Sequence, residues 1–300
     1  MCSFESLPGD LLHHTFQLLS AEELDALEII CSPFFSFIKH NRHFLNRREI
    51  RRAHITQKFL LRNVVYAYKE NKEDYDYTFE FDCDWSTCSN VTRKRNGNLS
   101  SRDCNASFRD VFKHINLAEI KIADIDLTNE LLNRLAESCK VARLILRSCS
   151  FSSTLWKASL HRLYFTTGVK RLSVIDCNYM YRNGLHDEEF AVLAATNFES
   201  IQLQSKEPPS FRPHHIAPIP LIFMNFWEVT KEEIAQMLKL YKGRQWREIE
   251  LFEWDAEWTE RERREWKTYI TDTAREQEMS IIVYTTLYND GTSLTIKNLQ

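Results

Sequence analysis

The sequence predicts an α/β protein in which a small all-helical module precedes a larger body of alternating strands and helices. Apolar residues between positions 7 and 35 recur at three- and four-residue steps, the period of helices. From Leu117 onward a short apolar pattern returns repeatedly, with helical patterns between its copies. Hydrophobic residues make up 43% and charged residues 27% of the chain, so neither half reads as disordered.

The helical module comes first. Leu11, Leu12, Phe16, Leu19, Leu24 and Leu27 keep the helical step, and Ile30, Cys31 and Phe34 continue it. Pro8 sits where a first turn begins, which suits a residue with no N–H to donate. Ser20 and Glu23 form a capping-box pair that opens a second helix. A third helix starts at Ser32–Pro33, with Phe34, Phe35, Phe37 and Ile38 on its apolar side. A piece of about forty residues is too small to bury so many apolar side chains. They either pack on the rest of the chain or form a docking face for another protein.

The run Leu7-Pro8, Leu11-Leu12, Phe16, Leu19, Glu22-Glu23-Leu24, Leu27, Ile30-Cys31 and Phe34 resembles an F-box. It departs from that pattern at Thr15, where an aliphatic residue is usual, and at Ser32-Pro33-Phe34, which replaces a basic pair and a Trp. The resemblance implies a three-helix motif over residues 1–48 that binds a Skp1-like adaptor. Through that adaptor it reaches a cullin, a RING protein and a ubiquitin-conjugating enzyme. It also implies that Leu7, Pro8, Leu11, Leu12, Phe16, Leu19, Leu24, Leu27 and Phe34 are the adaptor-binding residues.

Residues 49–115 read as a linking helix, a strand and a polar loop. Glu49, Ile50, Ile55, Phe59 and Leu60 place a helical core pattern inside the basic stretch from Arg47 to Arg62, whose charges are then a solvated face. Tyr75, Tyr77, Phe79 and Phe81 alternate strictly, as in a half-buried strand. The following Ser- and Asn-rich stretch has no apolar period and reads as a loop, with Asn96-Gly97 as a turn signal. Cys83, Cys88 and Cys104 lack the second close pair or nearby His of a zinc set, so no metal is expected.

Residues 116–300 carry the repeats LAEIKIADI, VARLILRSC, VKRLSVIDC, FESIQLQSK, IPLIFMNFW, WREIELFEW and MSIIVYTTL. Each places apolar residues in the pattern of Leu117/Ile120/Ile122, ending with Met279/Ile282/Tyr284. Their spacing clusters near the period of leucine-rich repeats, and Cys149 and Cys177 fall where such repeats carry Asn or Cys. Helical patterns lie between them: Thr128–Cys139, Asp187–Ala195, and segments opened by capping boxes at Thr230–Glu233 and Thr259–Glu262. A curved leucine-rich-repeat-like α/β solenoid is the first expectation, and an open α/β sheet the second. An F-box joined to such a body, with a Trp-rich segment near its end, resembles the nematode F-box families that carry an F-box-associated domain.

A formal net charge of -3 gives no drive towards nucleic acid or an anionic membrane. The N-terminus lacks a secretory pattern, and no apolar run reaches membrane-spanning length. Cys31, Cys139, Cys149 and Cys177 lie inside apolar patterns, which fits a reduced cytoplasmic or nuclear protein. No Gly-rich phosphate loop, HExxH motif or nucleophile elbow occurs, so no catalytic site and no cofactor are expected. His13-His14 read as partly exposed helix positions, and His214-His215 lie in a Pro-rich loop without a catalytic partner.

If the repeating apolar positions face the helices, the residues between them line the other sheet face. That face would hold a target protein through Arg143, Ile145, Arg147, Arg171, Ile175, Gln202, Phe223 and Phe252, with Ser173, Ser200, Gln204, Asn225, Glu248 and Glu250 between them. Together with the F-box resemblance, the expected function is the substrate-recognition subunit of an SCF-type ubiquitin ligase. The alternative is a non-catalytic interaction scaffold that uses the same helices without ubiquitin transfer.

Overall fold

The structure is a computed structural model that describes residues 8–20, 23, 24, 27, 32–41, 48–58, 62–68, 75, 77–82, 84–95, 98–113, 115–151, 162, 163, 167–178, 198–204, 212–216, 218–226, 228–254 and 257–299. It is a mixed α/β protein. The N-terminal part contains α1 (Gly9–Gln17) and α2 (Ser32–Asn41). Five strands follow: β1 (Arg52–Lys58), β2 (Arg62–Tyr68), β3 (Tyr77–Phe81), β4 (Thr87–Arg95) and β5 (Asn98–Ser107). After α3 (Phe108–Lys113) come β6 (Glu119–Ala123), α4 (Asn129–Ser138), β7 (Arg143–Arg147), β8 (Arg171–Ile175) and β9 (Ser200–Gln204). The chain then runs through β10 (Leu221–Phe226), α5 (Lys231–Tyr241), β11 (Glu248–Trp254), α6 (Glu260–Glu276), β12 (Ile281–Tyr288) and β13 (Gly291–Asn298).

Among the described residues these strands form one 13-stranded sheet in the order β12-β13-β11-β10-β9-β8-β7-β6-β1-β2-β3-β4-β5. Strands β6 to β11 are parallel in order, and β1 joins parallel to β6. Antiparallel strands flank this centre on both sides, and the order leaves β12 and β5 as edges.

The register explains the repeats. Ala53, Ile120, Leu144, Leu172, Ile201, Ile222, Ile249 and Ile296 are cross-strand partners in turn. Ile55, Ile122, Leu146, Val174, Leu203, Met224, Leu251 and Leu294 form a second row two residues on, and both rows are buried. Because side chains alternate across a strand, one apolar pair per repeat is enough to fix which face is covered. Leu131, Leu132 and Leu135 of α4, Ile234, Met237 and Leu238 of α5, and Ile270 of α6 share the core with these rows.

The strand exits repeat as well. Asp124, Ser148 and Asp176, each the residue just after β6, β7 or β8, have φ of 57°, 50° and 50°. This left-handed step turns the chain out of the sheet, and Cys149 and Cys177 follow it inward. The Cys149 thiol donates to the Ile122 carbonyl at 3.4 Å, and the Cys149 N–H donates to the Cys177 sulfur at 3.4 Å. The thiols thus add bonds to backbone groups between neighbouring strands.

Helix starts follow the sequence signals. Thr128 Oγ1 accepts the Leu131 N–H at 3.2 Å, and reciprocal capping boxes close at Thr230/Glu233 and Thr259/Glu262. The expected helix over Asp187–Ala195 lies outside the described residues.

Several expectations are corrected. The stretch read as a linking helix is strand: Ala53 and Ile55 are buried while Arg52, His54 and Thr56 lie on the other side, a period of two rather than 3.6. The polar loop is the β4–β5 hairpin, while the turn signal Asn96-Gly97 lies outside the described residues. Its outer side chains bond across strands instead of packing, as Ser101 Oγ does to Asn90 Oδ1 at 2.7 Å, so no apolar period marks it. The sheet therefore starts at β1, well before residue 116. The last repeat is also reversed: Val283 is buried, whereas Ile282 and Tyr284 are exposed. β13 takes the place beside β11 and supplies Leu294 and Ile296 to the buried rows, which pushes β12 to the edge.

Candidate functional site

Two surfaces carry the residues singled out in the sequence. At the N-terminus, the Pro8 carbonyl starts α1 by accepting the Leu11 and Leu12 N–H groups at 3.0 and 3.1 Å. Ser20 and Glu23 exchange their capping bonds at 2.7 and 3.2 Å, and the Ser20 N–H holds the exposed Glu23 carboxyl below the usual carboxylate range. Phe16, Leu24 and Ile38 make a small core of their own, separate from the main one, with Leu12, Leu19, Leu27, Phe34 and Phe37 packed against it. The Phe16 ring meets Phe34 and Phe37 edge-on at 5.5 and 5.4 Å.

This piece hides more than its length suggests, and it divides the expected adaptor contacts. Phe16 and Leu24 are interior; Leu12, Leu19, Leu27 and Phe34 are half-buried; Pro8 and Leu11 are exposed; Leu7 lies outside the described residues. Leu18 at 85% and Phe35 at 45% exposure add large apolar side chains that the sequence reading did not place in the site. Leu18 falls outside the helical step, and Phe35, read on the apolar side of its helix, lies on the exposed side of it.

The second surface is the sheet face opposite the buried rows. There His54, Lys121, Ile145, Ser173, Gln202, Phe223, Glu250 and Thr295 are register partners in turn. Ile145, Ile175, Gln202 and Phe223 are half-buried, and Arg143, Arg147 and Arg171 are exposed. Phe252 departs from expectation: it is 7% exposed and packs against the Tyr288 ring of β12 at 5.8 Å, so the final hairpin removes it from the face. Ser173 and Asn225 are buried too. Two of the arginines are already engaged, Arg143 with Glu119 at 3.2 Å and Arg171 with Glu199 at 3.2 Å. The Arg171 guanidinium holds the Glu199 carboxyl below its ordinary range.

His54 and Lys121 extend the face beyond the expected repeats. Burial, and then the Lys121 ammonium, push the His54 imidazole below its usual pKa. Its neighbours Ala53 and Ile55 gave the signal, a strict alternation that the helical reading passed over. At the other end, Ser293 Oγ donates to Glu250 Oε1 at 2.6 Å, and burial pushes the Glu253 carboxyl upward.

The structure places both histidine pairs. His13 and His14 occupy successive positions of α1, and the His214 and His215 rings contact only edge-on at 4.2 Å. Arg212, beside them, binds Glu233 through Nε at 2.5 Å and Nη2 at 2.7 Å, which ties the Pro-rich segment to the start of α5. Among the described residues no group of three metal-ligating side chains converges, and no helix is long and apolar enough to cross a membrane. What the two surfaces offer chemically is recognition, through exposed apolar side chains on one and a mixed polar row on the other.

Neither the protein-family models nor the curated proteins contain a match to this chain.

Proposed function

We propose that this chain is the substrate-recognition subunit of an SCF-type E3 ubiquitin ligase. The N-terminal helices are an F-box that docks a Skp1-like adaptor and, through it, a cullin. The sheet, a leucine-rich-repeat-like solenoid over β6 to β11, holds the target protein. Neither part makes or breaks a covalent bond. The chain contributes proximity, raising the effective concentration of a target lysine near the charged conjugating enzyme.

The observation that carries this reading is the separate N-terminal core around Phe16, Leu24 and Ile38, which leaves Pro8, Leu11, Leu18 and Phe35 uncovered. Apolar side chains of that size at the surface of a small unit fit a docking face. The in-register parallel strands and their repeated left-handed exits support the solenoid reading. Cys88, Cys139, Cys149 and Cys177 are free thiols, which suits a reducing cytoplasmic or nuclear setting.

Co-purification with Skp1, comparing the wild-type chain with a Leu7→Ala, Pro8→Ala, Leu11→Ala variant, tests the adaptor role. A complex that is lost in the variant supports the ligase reading. If the folded wild-type chain forms no complex, the reading fails. A Skp1 complex that never recruits a cullin leaves the interaction scaffold as the function.

A further inference from the structure

We propose that the edge formed by the N-terminal ends of β8 to β11 is a binding site for a short acidic segment of a partner protein that inserts one apolar side chain. Parallel strands bring their N-terminal ends to one side of the sheet, and here that side is unevenly charged. Among the described residues its carboxylates are committed: Glu119 to Arg143, Glu199 to Arg171 and to Lys170 at 3.5 Å, and Glu248 to Lys297 at 3.2 Å. Farther along, Glu278 faces Lys242 at 3.4 Å. Lys140, Arg244 and Arg247 are exposed and have no ion-pair partner among the described residues. The edge therefore carries surplus positive charge on a chain whose formal net charge is -3.

A groove of about 680 Å³ opens at this edge. That size has room for an inserted apolar side chain together with the peptide that flanks it. Phe198, Ile216 and Ile219 are its buried floor, while Pro218, Pro220 and the 52% exposed Leu240 form apolar walls, with Arg244 at the rim. The Arg247 N–H donates to the Pro220 carbonyl at 2.8 Å, which brings a second exposed Arg to the chain beside the wall. Two prolines and a strand start make the cleft preformed, so little ordering opposes binding.

The chemistry selects among anions. A compact phosphate meets Glu199 in the lining and few converging donors. Nucleic acid finds no exposed aromatic platform, because Phe198 is 3% exposed. Carboxylates spread along an extended peptide match cations spread along an edge, and an apolar side chain matches the walls. The site does not depend on the adaptor reading.

The test is fluorescence polarisation on the full chain without Skp1, so either proposal can fail alone. The probe is a fluorescein-labelled peptide of alternating Asp and Glu around one central Leu. Controls are the same peptide with Gly at the centre, an oligouridylate of equal charge and inorganic phosphate as competitor. The expected result is saturable binding, weakened about 10-fold by the central Gly and by at least about 10-fold in Arg244→Glu, Arg247→Glu. Leu240→Ser should weaken the Leu peptide and leave the Gly peptide unchanged. Arg244→Lys, Arg247→Lys should retain binding, which separates lost charge from lost folding. No binding, equal binding of the Gly peptide, oligouridylate binding as tightly, or displacement by millimolar phosphate would each overturn the proposal.

Discussion

Gly291 begins β13 immediately after the turn from β12, and space there is already taken. A Cβ would overlap the Glu253 carbonyl oxygen and lie 2.8 Å from Phe252 Cζ. Gly291→Ala must push β13 away from β11, and it is expected to cost about 2 kcal/mol or more in a denaturant titration. Glu233 has two tasks: it closes the capping box on Thr230 and receives Arg212. The Arg212 bonds hold its carboxyl below the ordinary range. The folded chain therefore releases this proton more readily than the unfolded chain does. The resulting stability is complete above the unfolded carboxylate pKa and disappears as pH falls through the lower folded value. Glu233→Gln should lower stability at neutral pH by about 1 kcal/mol, a modest figure because the pair is partly solvated. That deficit should shrink in acid, and a constant deficit across the pH range would contradict the assignment.

At the scale of elements, α4, α5 and α6 were readable because their start signals are local, whereas α3 has no such signal and was not read. Thr128, Thr230 and Thr259 name their own N-caps, and each makes the expected bond. Thr128→Ala removes one acceptor from the start of α4 and should cost about 1 kcal/mol, measured as a lower melting temperature. Strands were readable where one face is apolar, as in Leu144/Leu146 and Leu172/Val174. They were not where cross-strand polar bonds replace burial, as in β4 and β5. In β1 Ala53 and Ile55 alternate, but with Ile50 just before the strand they also fit a helical step, and pairing with β2 and β6 resolves the two. The reversal in β12 had no local signal at all, since Ile281, Ile282, Val283 and Tyr284 are apolar on both faces; the insertion of β13 sets it.

Across the whole molecule, two buried rows tie strands from both halves of the chain into one core, while the N-terminal helices keep a core apart. Repetition made the parallel centre of the sheet visible in the sequence. Apart from β12, whose repeat-like pattern is turned over, the strands added on either side are not copies of the repeat, so their order was not. For the proposed docking residues, periodicity gave the right stretch but favoured inward positions such as Phe16 and Leu24 over the exposed Leu18 and Phe35. The most direct test of the central claim is a calorimetric titration of purified Skp1 into the wild-type chain and into Leu11→Glu. Leu11 is 50% exposed, so the variant should melt with the wild type. The account predicts saturable heat with the wild type and at least about 10-fold weaker binding in the variant. Equal binding by both chains, or no heat from a folded wild type, would contradict it.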